Sequence, residues 1–263
     1  MKTSNILVHD DGGEKRIITL ALNRPNQRNA IDRDLLLELR KQVDILARDN
    51  GIGALIISSE ITHAFCSGVD VSYVQNLSNQ EAGQFFRELA DVLEQITTFP
   101  CPTFAAVSGY AFGAGADLAL ACDLRIASSS ARFRFPGPQF GLILGTRRLI
   151  HEVGPSIARM LALTGRIVDA KSALQYGLVH AVHEGNSCLE AALEWARSIS
   201  EMPPYTLDTI RELCRNEYNI NTDLALSLYL TEQSVLAGDF NDRFSKYASQ
   251  WRKNNKTDRP DDR

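Results

Sequence analysis

The sequence predicts an α/β fold with parallel strand pairing, and three observations carry that prediction. Short apolar runs alternate with segments of helical period between Arg16 and Ala127. From Pro155 on, helix signals dominate. No repeat of fixed period runs through the chain.

The elements follow in order. Asn5 to His9 and Arg16 to Leu22 read as strands around an Asp10-Asp11-Gly12-Gly13 turn, a hairpin signal. Asn23-Arg24-Pro25-Asn26 breaks the second strand. Asp32 then caps a helix whose Leu35, Leu36, Leu39, Val43 and Leu46 recur at helical spacing, ended by Asn50-Gly51. Ala54 to Ser58 is a buried strand. A polar loop with Gly68 leads to a helix within Asn79 to Thr97. Pro102 to Val107 is the next strand, Gly109 to Gly115 a glycine-rich turn, Ala116 to Ala121 a short helix and Asp123 to Ala127 another strand. Helices are expected at Ser156–Leu163, Asp169–Tyr176, Cys188–Ser200, Tyr205–Tyr218 and Thr222–Ala237. The chain from Trp251 is polar and charged and reads as a loose tail.

Composition removes several functional classes. With 44% hydrophobic and 23% charged residues, the 263-residue chain can bury a large core. A net charge of −4 with both signs mixed, and no basic block, argues against a nucleic-acid surface. No apolar run reaches the roughly 20 residues that span a bilayer. Met1 to Asp10 lacks the regions of a signal peptide, so a cytoplasmic location is expected. The five scattered cysteines, Cys66, Cys101, Cys122, Cys188 and Cys214, read as buried reduced thiols. His180 and His183 form an H-x-x-H with no further ligand nearby, so no metal is expected.

Two loops carry the chemistry. The first is Ala64-Phe65-Cys66-Ser67-Gly68-Val69-Asp70. The second runs from Val107 through Gly109, Gly113 and Gly115 into Asp117 and Leu118. Small residues let a backbone approach a ligand, and a helix start offers free N–H groups. Gly113-x-Gly115 alone is half of a dinucleotide fingerprint. The third glycine would fall at Leu118, and the acidic residue about 20 positions on is missing.

Together the loops resemble the crotonase superfamily, that of enoyl-CoA hydratases and isomerases. The resemblance begins at Asn23-Arg24-Pro25 with Arg28-Asn29-Ala30 and passes through both loops, Cys122-Asp123 and Phe135-Pro136. It continues in Gly141-Leu142-Ile143, Gly145-Thr146-Arg147-Arg148-Leu149, Thr164-Gly165-Arg166 and Ala173 to Val179. It implies a spiral of ββα turns over residues 1–200, a C-terminal helical oligomerisation region over 201–250 and a flexible charged tail over 251–263. It also implies an acyl-coenzyme A thioester as substrate, with no other cofactor, and a homotrimer or homohexamer.

The resemblance places an oxyanion hole at the backbone N–H groups of Val69 and Ala114, where fixed donors stabilise an enolate-like charge. It places coenzyme A or substrate contacts at Arg28, Ala30, Cys66, Ser67, Gly68, Asp70, Gly113 and Gly137. Arg28 is either a phosphate or pantetheine contact or a solvated arginine, and His63 a phosphate contact or an exposed loop residue. Hydratases of the family use two glutamates. Their positions correspond here to Asp117, one methylene shorter, and to Gly137, which has no side chain. The Gly141 to Leu149 stretch is about three residues shorter than in relatives by motif alignment.

Asp117 is thus the candidate general acid or base, or alternatively a residue that orients the glycine turn. Tyr110 and Gln139 are minor hydrogen-bonding candidates, and His151 reads as a surface residue. Three activities stay open: hydratase or isomerase, another thioester reaction such as hydrolysis, decarboxylation or β-dicarbonyl cleavage, and a non-catalytic acyl-CoA-binding relative.

Overall fold

The computed structural model describes residues 4–185, 187–216, 225, 228, 229, 231–233, 235, 236 and 240–254. Strands β1 (Ile6–Asp10) and β2 (Arg16–Leu22) form the expected antiparallel hairpin. Its turn is held by Asp10 Oδ1, which accepts from Gly12 N at 2.9 Å, and by Asp11 Oδ1, which accepts from Ile17 N at 2.8 Å. Helix α1 (Arg33–Leu46) starts at Asp32, whose carboxylate accepts from Leu35 N at 2.9 Å, and buries the five predicted apolar residues.

Three ββα turns follow. The first is β3 (Ile52–Ser59), β4 (Ala64–Cys66), α2 (Val71–Gln75) and α3 (Asn79–Thr97). The second is β5 (Thr103–Val107), β6 (Tyr110–Phe112) and α4 (Ala114–Leu120). The third is β7 (Leu124–Ser128), β8 (Arg132–Arg134), a 3-10 turn (Gly137–Phe140) and α5 (Thr146–Thr164). Then come β9 (Val168–Asp169), α6 (Ala170–Gln175), β10 (Ala181–His183), α7 (Cys188–Ser200), α8 (Pro204–Asn216) and α9 (Phe240–Asn254).

Each turn gives one strand to each of two sheets. The larger runs β1-β2-β3-β5-β7-β10 and is parallel apart from the hairpin; the smaller runs β4-β6-β8-β9. The central strands β2, β3 and β5 are covered on both faces, which is why they read as near-continuous apolar runs. Ile18, Leu20, Leu55, Ile57, Ala105 and Val107 belong to the main core with α1 and α3. Ile17, Ala54, Ile56, Phe104, Ala106 and Ile126 pack against Ala192 and Ala196 of α7. The Ile, Leu, Val and Phe side chains among them each contribute about 1.5–3 kcal/mol when removed from water.

The structure corrects several expectations. The Gly109 to Gly115 segment is not a single turn, because Tyr110–Phe112 pairs with β4 and β8 as a strand. Three residues are too few to show a period in sequence. The helix expected from Ser156 is the second half of α5: Gly154 (φ 72°, ψ 163°) breaks the element before Pro155, whose ring cannot continue an unbroken helix, and the stretch 146–153 ahead of the break is a further helix that was not expected.

Helix α9 falls within the region read as helical, beyond the last helix expected by range, and it carries four residues into the segment read as a tail; residues 255–263 lie outside the described residues. Its Phe240, Phe244 and Ala248, four residues apart, are buried. Much of the expected Thr222–Ala237 helix, Leu224 included, lies outside the described residues. Within it Val235 is buried, Leu228 packs on the core and Leu236 is exposed.

Cys66, Cys122 and Cys188 are buried, but Cys101 is half-buried and Cys214, near the end of α8, is exposed. His151 is half-buried and lines a cavity that Leu207 and Ile210 of α8 also line. His180 Nδ1 accepts from Arg125 N at 3.0 Å. Among the described residues no three metal-ligating side chains converge, and no helix is long and apolar enough to cross a membrane.

Candidate active site

The small sheet sets the site. Val69, Ala114 and Gly137 sit just beyond the C-terminal ends of β4, β6 and β8, at equivalent places in the three ββα turns. Strand C-termini are where α/β sheets present groups to ligands. Adjacent pairing of β4, β6 and β8 therefore brings three loops distant in sequence side by side.

The first two loops touch. A methyl group on Gly68 (φ 103°) would stand 2.9 Å from Phe112 O and 3.8 Å from Ala114 N, and one on Gly115 would overlap Cys66 O. Only glycine permits this approach. Gly113 N donates to Arg134 O at 2.9 Å, joining the second loop to the third.

Both candidate amides are left over by the local hydrogen bonding. Ile31 bridges Val69 in parallel: Ile31 N donates to Gly68 O, and Asp70 N donates to Ile31 O, each at 2.8 Å. That pattern turns the Val69 N–H to the opposite side. Ala114 is the first residue of α4, so its N–H has no intrahelical acceptor.

Asp117 lies one turn into α4, and Gly145, at the start of α5, is against its carboxylate: a methyl group there would overlap Oδ1. Burial pushes the Asp117 carboxyl up to about 7, against the opposing pull of the Arg148 guanidinium. The carboxylate makes no hydrogen bond among the described residues, and Gly113 begins α4 without a side-chain cap, so Asp117 does not cap the glycine turn. Arg148 is held by Glu94 Oε2 at 2.9 Å and Thr97 Oγ1 at 3.3 Å.

The other predicted residues are placed as follows. Arg28 (φ 51°) is exposed, and its carbonyl accepts from Ser67 N at 3.1 Å. Ala30 is buried and its carbonyl accepts from the Arg24 guanidinium. Asp70 starts α2, accepting from Tyr73 N at 3.1 Å and facing Arg24 at 3.7 Å, so its carboxylate is engaged within the protein. Burial pushes the Cys66 thiol up to about 12, so it is neutral at ordinary pH. A methyl group on Gly137 would stand 2.9 Å from Leu142 O, so the following loop occupies the room a side chain there would need. Tyr110 is exposed, its ring centre 5.0 Å from that of Phe112 with the planes tilted by 51°; Gln139 is exposed on the 3-10 turn.

Three residues escaped sequence reasoning. Asn29 (φ 56°), fully buried, donates to Phe65 O at 2.9 Å and Ser59 Oγ at 2.8 Å while accepting from Arg24 N at 2.7 Å. It clamps the first loop. Gly145 and Arg148, the contacts of Asp117, stand in quoted motifs, but their meeting with α4 is tertiary and left no local pattern.

The two-sheet spiral with its glycine-locked loops defines a crotonase-type α/β fold. The chain belongs to the enoyl-CoA hydratase/isomerase family, whose model matches residues 12–242. It is 33% identical over 241 residues to the mitochondrial methylglutaconyl-CoA hydratase of Homo sapiens, covering 88% of this chain and 70% of that protein. A crystal structure of an enoyl-CoA hydratase/isomerase from Xanthobacter autotrophicus Py2 superposes with a TM-score of 0.83 at 30% identity, covering 94% of this chain and 93% of that one. An enoyl-CoA hydratase from Bacillus anthracis gives 0.77 at 29% identity, covering 88% and 89%.

Proposed function

We propose that this chain transforms an acyl-CoA thioester through an enolate, with the N–H groups of Val69 and Ala114 holding the thioester oxygen and Asp117 carrying the proton. The observation that carries the reading is the meeting of two amides left over by local hydrogen bonding with one desolvated carboxyl a helical turn away. Each donor contributes about 3 kcal/mol where charge develops. An ionised Asp117 takes a proton from carbon next to the thioester or its vinylogous position, the electron pair moves onto the oxygen, and the same carboxyl returns the proton elsewhere on the chain. Exposed Arg28 meets the phosphates of coenzyme A in this reading.

The relatives named above as hydratases support the acyl-CoA part. Gly137 favours proton relocation over water addition, since hydration by two carboxylates needs a second acid where this chain has no side chain. The test is mass spectrometry of 2-enoyl, 3-enoyl, β-ketoacyl and malonyl-type CoA esters incubated with the protein in heavy-oxygen water and in deuterated water. Deuterium incorporation or a double-bond shift without added water is expected. Water addition to a 2-enoyl ester would make the chain a hydratase, and free coenzyme A or a shortened acyl chain would move it to hydrolysis or cleavage. An inert panel would leave a binding protein.

A further inference from the structure

Arg148 acts on Asp117 without pairing with it, and the reason lies on α3. Gly145 touches the Asp117 carboxylate, and Arg148 follows it by three residues, on the first turn of α5. The guanidinium is nevertheless turned to α3. There its Nη2 donates to Glu94 Oε2 at 2.9 Å and its Nε to Thr97 Oγ1 at 3.3 Å. Thr97 Oγ1 is itself anchored, donating to Leu93 O at 3.0 Å. Glu94 and Thr97 are three residues apart, so one face of α3 presents both contacts.

Two carboxylates thus compete for one cation. The Arg148 side chain is 14% exposed and that of Glu94 20%, so water and salt screen the contest only weakly. Burial disfavours the Arg148 charge, and of the two acids Glu94 does more than Asp117 to keep it. A buried guanidinium deprived of one partner is strongly destabilised. Without Glu94, the acid still acting on Arg148 is Asp117. Among the described residues Arg148 is the charge that acts on Asp117. The Cys66 thiol, which feels Asp117 from the first loop, is kept neutral by burial. His151, three residues on in α5, is pushed down by burial and by Arg147 and Arg148, so it is neutral near pH 7.

We infer that Glu94 is a positioning residue: by holding the Arg148 guanidinium on α3 it keeps that cation from forming an ion pair with Asp117, whose carboxyl stays free to take a proton from the thioester and return it. The inference rests on the reading of Asp117 as the proton carrier. A paired Asp117 would be a weaker base, with its oxygens turned to the guanidinium instead of the substrate.

The test is a carbon-13 NMR titration of the full chain labelled at its aspartate carboxyls, run beside deuterium exchange into the CoA esters. The Asp117 signal is identified by its loss in Asp117→Asn. The parent midpoint is expected at about 7. Glu94→Gln should lower it by about one pH unit or more and slow exchange above the midpoint by about threefold or more. Arg148→Met should raise the midpoint, and the double variant should fall with Arg148→Met, because Glu94 acts through Arg148. Should Glu94→Gln fail to fold, Thr97→Val loosens the same cation with no change of charge and should lower the midpoint in the same direction. An unchanged midpoint in Glu94→Gln, or in Thr97→Val where it stands in, would overturn the inference, as would a double variant that falls with Glu94→Gln. The proton-carrier reading survives either result as long as the parent exchanges deuterium. If the parent exchanges none into any ester, that reading fails and the inference falls with it.

Discussion

At Asp117, burial and the Arg148 guanidinium act in opposite directions and burial wins. As a base the residue works only when ionised, so solvent deuterium exchange into substrate should rise with pH up to about 7 and level off above it. Stability follows the opposite sign. The folded protein holds this proton more tightly than the unfolded chain, so stability contributed here is full at low pH and falls as pH rises towards about 7. Asp117→Asn removes that slope. Thermal melts should find the variant matched to the parent near pH 4 and more stable at pH 8, by at most on the order of 4 kcal/mol. At Gly115 helix propensity and packing disagree. Alanine normally favours a helix by about 1 kcal/mol over glycine, yet its methyl would overlap Cys66 O. Gly115→Ala should therefore lose about 1–3 kcal/mol in urea unfolding; a gain would mean that the two loops are not in contact.

Among elements, the stretch from the 3-10 turn to the start of α5 decides which chemistry fits. Leu142 N donates to Gly137 O at 2.9 Å, and Leu142 O faces the hydrogen side of Gly137. A glutamate at 137 must displace this loop, so Gly137→Glu should leave water addition to a 2-enoyl ester within tenfold of the parent; full hydratase rates would contradict the packing. Helix α8 leaves Tyr205, Ile210 and Leu213 exposed at 83%, 48% and 63%. A closed trimer or hexamer is expected to cover them, and light scattering should find Tyr205→Glu combined with Leu213→Glu monomeric. A monomeric parent would reject this. Legibility differed by element for physical reasons. Helices α1, α3 and α7 announce themselves because their length repeats one buried face several times. Strands β4, β6 and β8 span three residues each, and their short runs have no period to read. The four-residue spacing of Phe240, Phe244 and Ala248 was present in the sequence but masked by polar neighbours on every other face.

Across the molecule, the parallel part of the larger sheet was readable because burial on both faces leaves its central strands β2, β3 and β5 largely apolar. The smaller sheet, on which the site depends, was reached only through the family resemblance. The same division holds for the site. Val69, Ala114 and Asp117 were placed by the resemblance, whereas Asn29, Gly145 and Arg148 stand in the same motifs but take their roles from contacts between distant segments. The two amides have one further consequence. They belong to the main chain, so no single-codon change other than one to proline deletes either of them. On the proposed reading, acid and base side chains around them can be exchanged one at a time, and each variant still keeps the two donors for a thioester oxygen. A site of this kind that has no side chain at position 137 then keeps a starting point from which new reactions can be selected.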